Sequence, residues 1–426
     1  MTAPRKPEIA PPARQTAFDA LRAVDERDAY VNLLLPQLLR DRGLAGRDAA
    51  LATELAHGTL RWRGTYDAII DHLAPGRAIE PAVRDALRLG CHQLLAMRVP
   101  DHAAVSTSVD LVKAAVGHRA VGFANAVLRR VADRDLPAWL DLLTADLDHT
   151  AALSIRTSHP AWIVDAFADA LGADGDLAAL LAADNESPKV TLVARPGLCE
   201  PSELPGKPGR LSPFARIMDG GDPAGVPAVR EGRAGVQDEG SQVVALRLAD
   251  AEVDGPDARW LDLCAGPGGK AALLGALAAQ RGATVIANEV QPHRADLVTS
   301  AVANLPNVTV TNEDGRAGPW LPASFDRALV DAPCTGLGAL RRRPESRWRR
   351  QPTDLPGLVA LQQALLQRAL ELVRPGGVVA YATCSPHVAE TRDVLAAVGV
   401  ARESVMQLWP HLDGTDAMFC ALLRRP

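Results

Sequence analysis

The sequence predicts a multidomain chain: an all-α first third, a small α+β connector, and a C-terminal α/β domain on a mostly parallel sheet. Three observations carry this. At 426 residues the chain is too long for one ordinary domain. Up to about residue 143, apolar residues recur at intervals of three, four and seven, the period of a helix face. From Arg259 onward, short apolar runs alternate with helical stretches, as in a parallel sheet covered on both faces.

Residues 1–13 are Pro-rich and charged and lack an apolar stretch, which predicts a disordered tail and no signal peptide. Residues 14–145 read as one helical domain. Leu51, Leu55, Trp62, Tyr66, Ile69, Ile70 and Leu73 form one stripe. Pro81 opens a helix that carries Val83, Leu87, Cys91, Leu94 and Leu95 on one face. Asp101 is placed to cap the next, with Val105, Val109, Val112 and Val116. Phe123, Val127 and Val131 line a fourth, with Arg129 and Arg130 off the stripe.

Residues 146–235 read as the connector. It holds a short helix over residues 160–171, a strand in KVTLVARP (189–196) and a Pro/Gly-rich stretch. Residues 236–426 form the α/β domain, which GVQDEGSQVVALRLAD enters through a turn and a helix. WLDLC, ATVIANEV, VTVTNED, RALVDAPC and GGVVAYATC are five strand-like runs, and a helix over residues 355–373 separates the last two.

Composition excludes several classes. No apolar run reaches the ~18 residues of a membrane span. The six cysteines include no C-x-x-C pair, which argues against a metal site and against a disulfide framework, and fits a reducing, cytoplasmic setting. The net charge of −5 argues against broad nucleic-acid affinity unless local clusters reverse it.

DLCAGPGGK (262–270) sits at the first strand-to-helix turn, where Gly266, Gly268 and Gly269 let the backbone turn sharply and approach a ligand. Glu289, Asp314 and Asp331 end the second, third and fourth strands, the edge where open α/β sheets bind ligands. A carboxylate at Glu289 can accept both hydroxyls of a ribose, so the reading is a nucleoside cofactor. VDAPCTGLG and YATCSP place Cys334 and Cys384 after the fourth and fifth strands, neighbours about 4.8 Å apart in a doubly wound sheet. Both thiols can reach one ligand, and spacing does not choose between them. RRRPESRWRR (341–350) holds six arginines around Trp348. Arg341, Arg342 and Arg343 suit phosphate groups, and Trp348 suits an unpaired base. Arg61, Arg63, Arg129 and Arg130 add basic character to the helical domain.

Taken in order, DLCAGPGGK, NEVQPHR, DAPCTGLG, the arginine run and YATCS resemble motifs of the RsmB/Sun (Fmu) family of RNA cytosine-C5 methyltransferases, over roughly residue 235 to the end. The helical third resembles the NusB-like RNA-binding domain of RsmB-type members. The resemblance implies a Rossmann-like class I methyltransferase domain. It implies S-adenosyl-L-methionine held by Cys264, Ala265, Gly266, Pro267, Gly268, Gly269 and Lys270, with Glu289, Asp314 and Asp331. It makes Cys384 the nucleophile that adds to cytosine C6 and Cys334 the residue that assists product release. Asp331 is placed to donate to the base at N3 while protonated. The chain departs from the family with CAGPGGK for CAAPGGK, Glu289 for Asp, and HVAET for PEEN after the TCS motif. The implied partner is RNA, 16S rRNA first, free or in an assembly intermediate, with a monomeric enzyme, no membrane and no metal. The alternatives are the same chemistry on tRNA or another rRNA site, or a non-catalytic RNA-binding factor.

Overall fold

A computed structural model describes residues 11–426. The chain divides into two compact units. One holds residues 11–168, 176–186 and 340–349; the other holds residues 169–175, 187–339 and 350–426. The expected connector (146–235) is thus divided between the two. The expected tail lies outside the described residues for 1–10, and its last two residues already belong to the first helix.

The first unit is helical: α1 (Pro12–Arg27), α2 (Val31–Asp41), α3 (Gly46–Arg61), α4 (Arg63–Leu73), α5 (Pro81–Leu95), α6 (Asp101–Val116), α7 (Val121–Val131), α8 (Leu136–Thr144) and α9 (His149–Thr157). The stripe from Leu51 to Leu73 is broken at Trp62, whose backbone leaves the helical region between α3 and α4. Its Leu55, Tyr66, Ile69 and Ile70 still meet in one core with Leu87, Cys91, Leu128 and Trp139. Gly90 admits the close approach of Leu128, since a Cβ there would lie 2.4 Å from Leu128 Cδ2. Pro81 is the first residue of α5, as expected. Asp101 is not a cap: it is the first helical residue behind Pro100, and no side-chain cap bond forms.

Residues 340–349 belong to this unit. Arg347 is fully buried and donates to the carbonyls of Arg61 (2.9 Å), Ser158 (3.1 Å) and Asp184 (2.9 Å) and to Asn185 Oδ1 (2.8 Å). A rigid five-donor fork suits such converging acceptors. Trp348 lies over Gly64, where a Cβ would be 2.4 Å from its ring, and Glu345 accepts the Val31 N–H at 3.2 Å.

The second unit contains a seven-stranded sheet: β1 (Arg259–Asp262), β2 (Thr284–Asn288), β3 (Val308–Thr311), β4 (Phe325–Asp331), β5 (Val373–Thr383), β6 (Arg402–Gln407) and β7 (Phe419–Arg424). The order is β6-β7-β5-β4-β1-β2-β3, parallel except for β7, which runs antiparallel to both neighbours. β1 to β5 are the five expected runs. β6 and β7 were not anticipated, although FCALLR is a continuous apolar run of strand length. Thr191–Ala194, within KVTLVARP, belongs to a separate four-stranded antiparallel sheet with Lys207–Pro208, Ala215–Ile217 and Ala234–Val236. No helix among the described residues is long and apolar enough to cross a membrane.

Arg347→Met should destabilise the helical unit by about 3–5 kcal/mol, because four buried acceptors lose their donor together. Urea unfolding followed by circular dichroism measures this; a midpoint unchanged from wild type would show that the buried fork contributes nothing.

Candidate active site

The sheet reverses its winding between β1 and β4, and the glycine loop opens there, after Asp262 and before the helix Gly269–Ala279. Gly268 sits at φ +109°, and a Cβ on it would lie 2.6 Å from Ala301 Cβ. A Cβ on Gly266 would lie 2.1 Å from Glu289 Oε2. The two glycines therefore let the loop close onto the β2 acid and the helix Pro292–Ala301.

The expected acids occupy different environments. Glu289 is buried and accepts the N–H groups of Gly266 (3.2 Å) and Gln291 (2.9 Å), with Arg294 at 3.5 Å. Asp331, at the end of β4, accepts from Lys270 Nζ at 2.8 Å, and Lys270 also reaches Ser241 Oγ at 3.4 Å. Burial works against the Lys270 ammonium, but Asp331 overrides it and holds the lysine above its usual pKa. The Lys270 contact occupies the Asp331 carboxylate expected to donate to a base. Asp314 lies beyond the end of β3, half-exposed, where hydrogen bonds from Arg316 hold it down at about 2.

A fourth acid escaped the sequence reading. Asp262, the last residue of β1, is fully buried, with the backbone of Cys264 beside it and no side-chain donor on its carboxylate. Burial first and the nearby Asp331 second push it up to about 8. The signal was present in the motif: its first residue is an acid ending a central strand.

The two thiols meet. β4 and β5 pair with Asp331 opposite Ala382, and the Ala332 N–H continues the ladder to the Ala382 carbonyl at 2.8 Å. Cys334 Sγ and Cys384 Sγ then lie 3.5 Å apart, both half-buried. Gly338 ties the two loops, its N–H donating to the Cys384 carbonyl at 2.9 Å. Contact with Cys384 first and burial second raise the Cys334 thiol well above its usual value.

The arginine run is placed differently from the expectation of a solvent-facing clamp. Within the helical unit Arg341 is buried, Arg342 and Trp348 are half-buried, and Arg343 is exposed with its guanidinium over the Tyr30 ring. Of the other arginines, Arg61 is buried and Arg63 pairs with Asp25 at 2.7 Å, while Arg129 and Arg130 are exposed.

Residues 251–424 match the family model described as 16S rRNA methyltransferase RsmB/F, and residues 11–133 match the NusB family. The chain is 52% identical to Mycobacterium tuberculosis Rv1407, named as a methyltransferase, across 97% of this chain and 96% of that protein. It is 31% identical to ribosomal RNA small subunit methyltransferase B of Salmonella newport, across 90% and 89% respectively. The chain belongs to the RsmB/F family. A solved structure named PH0851, 20% identical, shares the RsmB/F chain's fold over 98% of its length with a TM-score of 0.80. A methyltransferase homologue from Pyrococcus horikoshii, 19% identical, covers 65% of it at 0.54. In this RsmB/F chain the HVAET stretch supplies a buried carboxylate, Glu390, to the thiol loops.

Because the folded Asp262 pKa lies above the ordinary carboxylate value, the folded chain holds this proton between about pH 4 and pH 8 and the unfolded chain does not. Its contribution to stability is therefore present at low pH and lost as the pH rises towards 8. Asp262→Asn removes that titration. The melting temperature of the variant minus that of wild type should grow from about pH 5 to about pH 8 and then level off. A difference independent of pH would mean that Asp262 is ionised throughout.

Proposed function

We propose that the protein transfers a methyl group from S-adenosyl-L-methionine to C5 of a cytosine in 16S rRNA, through a covalent bond between Cys384 and cytosine C6. The observation that carries the reading is the pair of thiols 3.5 Å apart at the ends of adjacent strands, beside the Lys270–Asp331 pair. The names of the relatives support rRNA as the substrate; action in the cytoplasm as a monomer is part of the same proposal.

The residues present fit the cofactor. S-adenosyl-L-methionine carries a sulfonium, an ammonium and a carboxylate. The glycine loop is surrounded by Glu289, Asp331 and the buried Asp262, with Lys270 as the one cation of the loop. Residues 264–270 with Glu289, Asp314 and Asp331 would hold it, Glu289 at the ribose hydroxyls. When bound, it supplies an electrophilic methyl group.

Cytosine C5 is a poor nucleophile until C6 carries an electron-rich substituent. The Cys384 thiolate forms an Sγ–C6 bond while the C5–C6 electron pair moves towards C5, and C5 then takes the methyl group. Loss of the C5 proton to a base and departure of the thiolate from C6 restore the ring. The contact between the sulfurs allows one thiol to hold a proton while the other attacks, and the family resemblance makes Cys384 the attacker. Cys334 then serves elimination, close to both the leaving sulfur and the base. A protonated Asp331 at cytosine N3 requires its pair with Lys270 to open. Arg343, the exposed member of the run's first three arginines, is proposed to contact phosphate, and a base must leave its stack to reach the thiols.

The test separates the two cysteines. With labelled rRNA and S-adenosyl-L-methionine, Cys384→Ala should give neither methyl transfer nor an adduct. Cys334→Ala should methylate and then accumulate a protein–RNA adduct that survives a denaturing gel. An adduct in the Cys384 variant alone would reverse the roles.

A further inference from the structure

Glu390 lies in the HVAET stretch after Cys384, and it is wholly buried. Its Oε1 accepts the Thr335 N–H at 2.8 Å and Gln362 Nε2 at 3.1 Å. Its Oε2 accepts the Thr335 hydroxyl at 2.5 Å. Its backbone carbonyl accepts the Tyr381 hydroxyl at 2.7 Å. Thr335 follows Cys334 directly, and its Oγ1 lies 3.0 Å from the Oγ of Ser385, which follows Cys384 directly. Gln362 also donates to the carbonyl of Pro333, the residue before Cys334, at 2.8 Å. One carboxylate thus grips the residue after the first thiol, reaches the residue after the second through a hydroxyl, and shares a glutamine with the residue before the first.

Burying a carboxylate is costly unless its lone pairs are filled. The lone pairs of Glu390 are filled here by the Thr335 N–H, the Thr335 hydroxyl and the Gln362 amide.

We propose that Glu390 is the positioning residue of the two-thiol site: it locks the Cys334–Thr335 turn against the Cys384–Ser385 turn. The inference rests on the proposed covalent chemistry for its role in turnover, whereas the placement of the thiols can be read without RNA. The titratable and charged groups around Cys334 include Cys384, Glu390, Asp331 and Tyr381, with Lys270 reaching the site through Asp331 and Arg350 donating to the Thr335 carbonyl at 3.2 Å. The acids, Glu390 among them, act to raise the Cys334 thiol.

The experiment measures alkylation of Cys334 and Cys384 by iodoacetamide against pH, with sites assigned by peptide mass mapping, in wild type, Glu390→Gln, Glu390→Ala and Thr335→Val. Glu390→Gln keeps an acceptor for Thr335 N–H and removes the charge. Its Cys334 alkylation profile should move to lower pH, since a nearby negative charge disfavours the thiolate, and kcat should fall less than in Glu390→Ala. Glu390→Ala and Thr335→Val unlock the turns, and kcat should fall by about a hundredfold, with KM for S-adenosyl-L-methionine within about twofold. If Glu390→Ala does not fold, Glu390→Gln and Thr335→Val carry the test. A Cys334 profile unmoved in Glu390→Gln, or wild-type kcat in Thr335→Val, overturns the proposal. A shifted thiol profile in a protein that methylates no RNA would instead keep the positioning role and reject the proposed substrate.

Discussion

The register between β4 and β5 is the constraint on which the site depends. Parallel pairing sets Asp331 opposite Ala382, so the two strands end level and their loops start side by side. Both strands are buried along almost all the length that pairs, in runs such as RALV and VVAYAT that leave no polar face to permit a slip. A one-residue shift would send every side chain to the opposite face and separate the sulfurs. Gly338 adds to the same constraint: a Cβ there would lie 2.1 Å from the Ala417 carbonyl, so the loop after Cys334 closes against the chain before β7.

Charge is distributed with similar economy around the glycine loop. Four carboxyl groups stand near the carboxyl ends of β1 to β4, each in a different environment. Arg316 holds Asp314 down, Asp331 faces the Lys270 ammonium, Glu289 is filled by backbone N–H groups, and Asp262 is buried with no side-chain donor and pushed up to about 8. Pushing neighbouring acids apart in this way is how one cleft can present both a neutral and an anionic carboxyl at the same pH. A cationic ligand would lower the burden on Asp262, which is why the acid set fits the proposed cofactor.

The run RRRPESRWRR shows how one composition serves two purposes. Arg347 is an internal brace, its fork saturated by carbonyls and an amide of the helical unit, while Arg343 stays on the surface. Arginine tolerates burial here because its five donors meet converging acceptors. Affinity for phosphate is therefore expected only from the arginines that the helical unit leaves outside.

Much of this was legible in the residues. Helical periodicity located the core of the first unit, and alternation of apolar runs with helices located five strands of the sheet, because both signals are local and follow from backbone period. The glycine loop and the acids at strand ends could be placed for the same reason. What the sequence could not decide were contacts between distant segments. Glu390 meets Thr335 across 55 residues and Arg347 meets Arg61 across 286. Residue types do not specify such partners; packing and strand register do. The expected cap at Asp101 failed because the chain turns into the helix one residue earlier, at Pro100. The pairing of Cys334 with Cys384 stood between these cases. Sequence brought both thiols to neighbouring strand ends, and only the tertiary register and the loop ties through Gly338 and Glu390 set their sulfurs in contact.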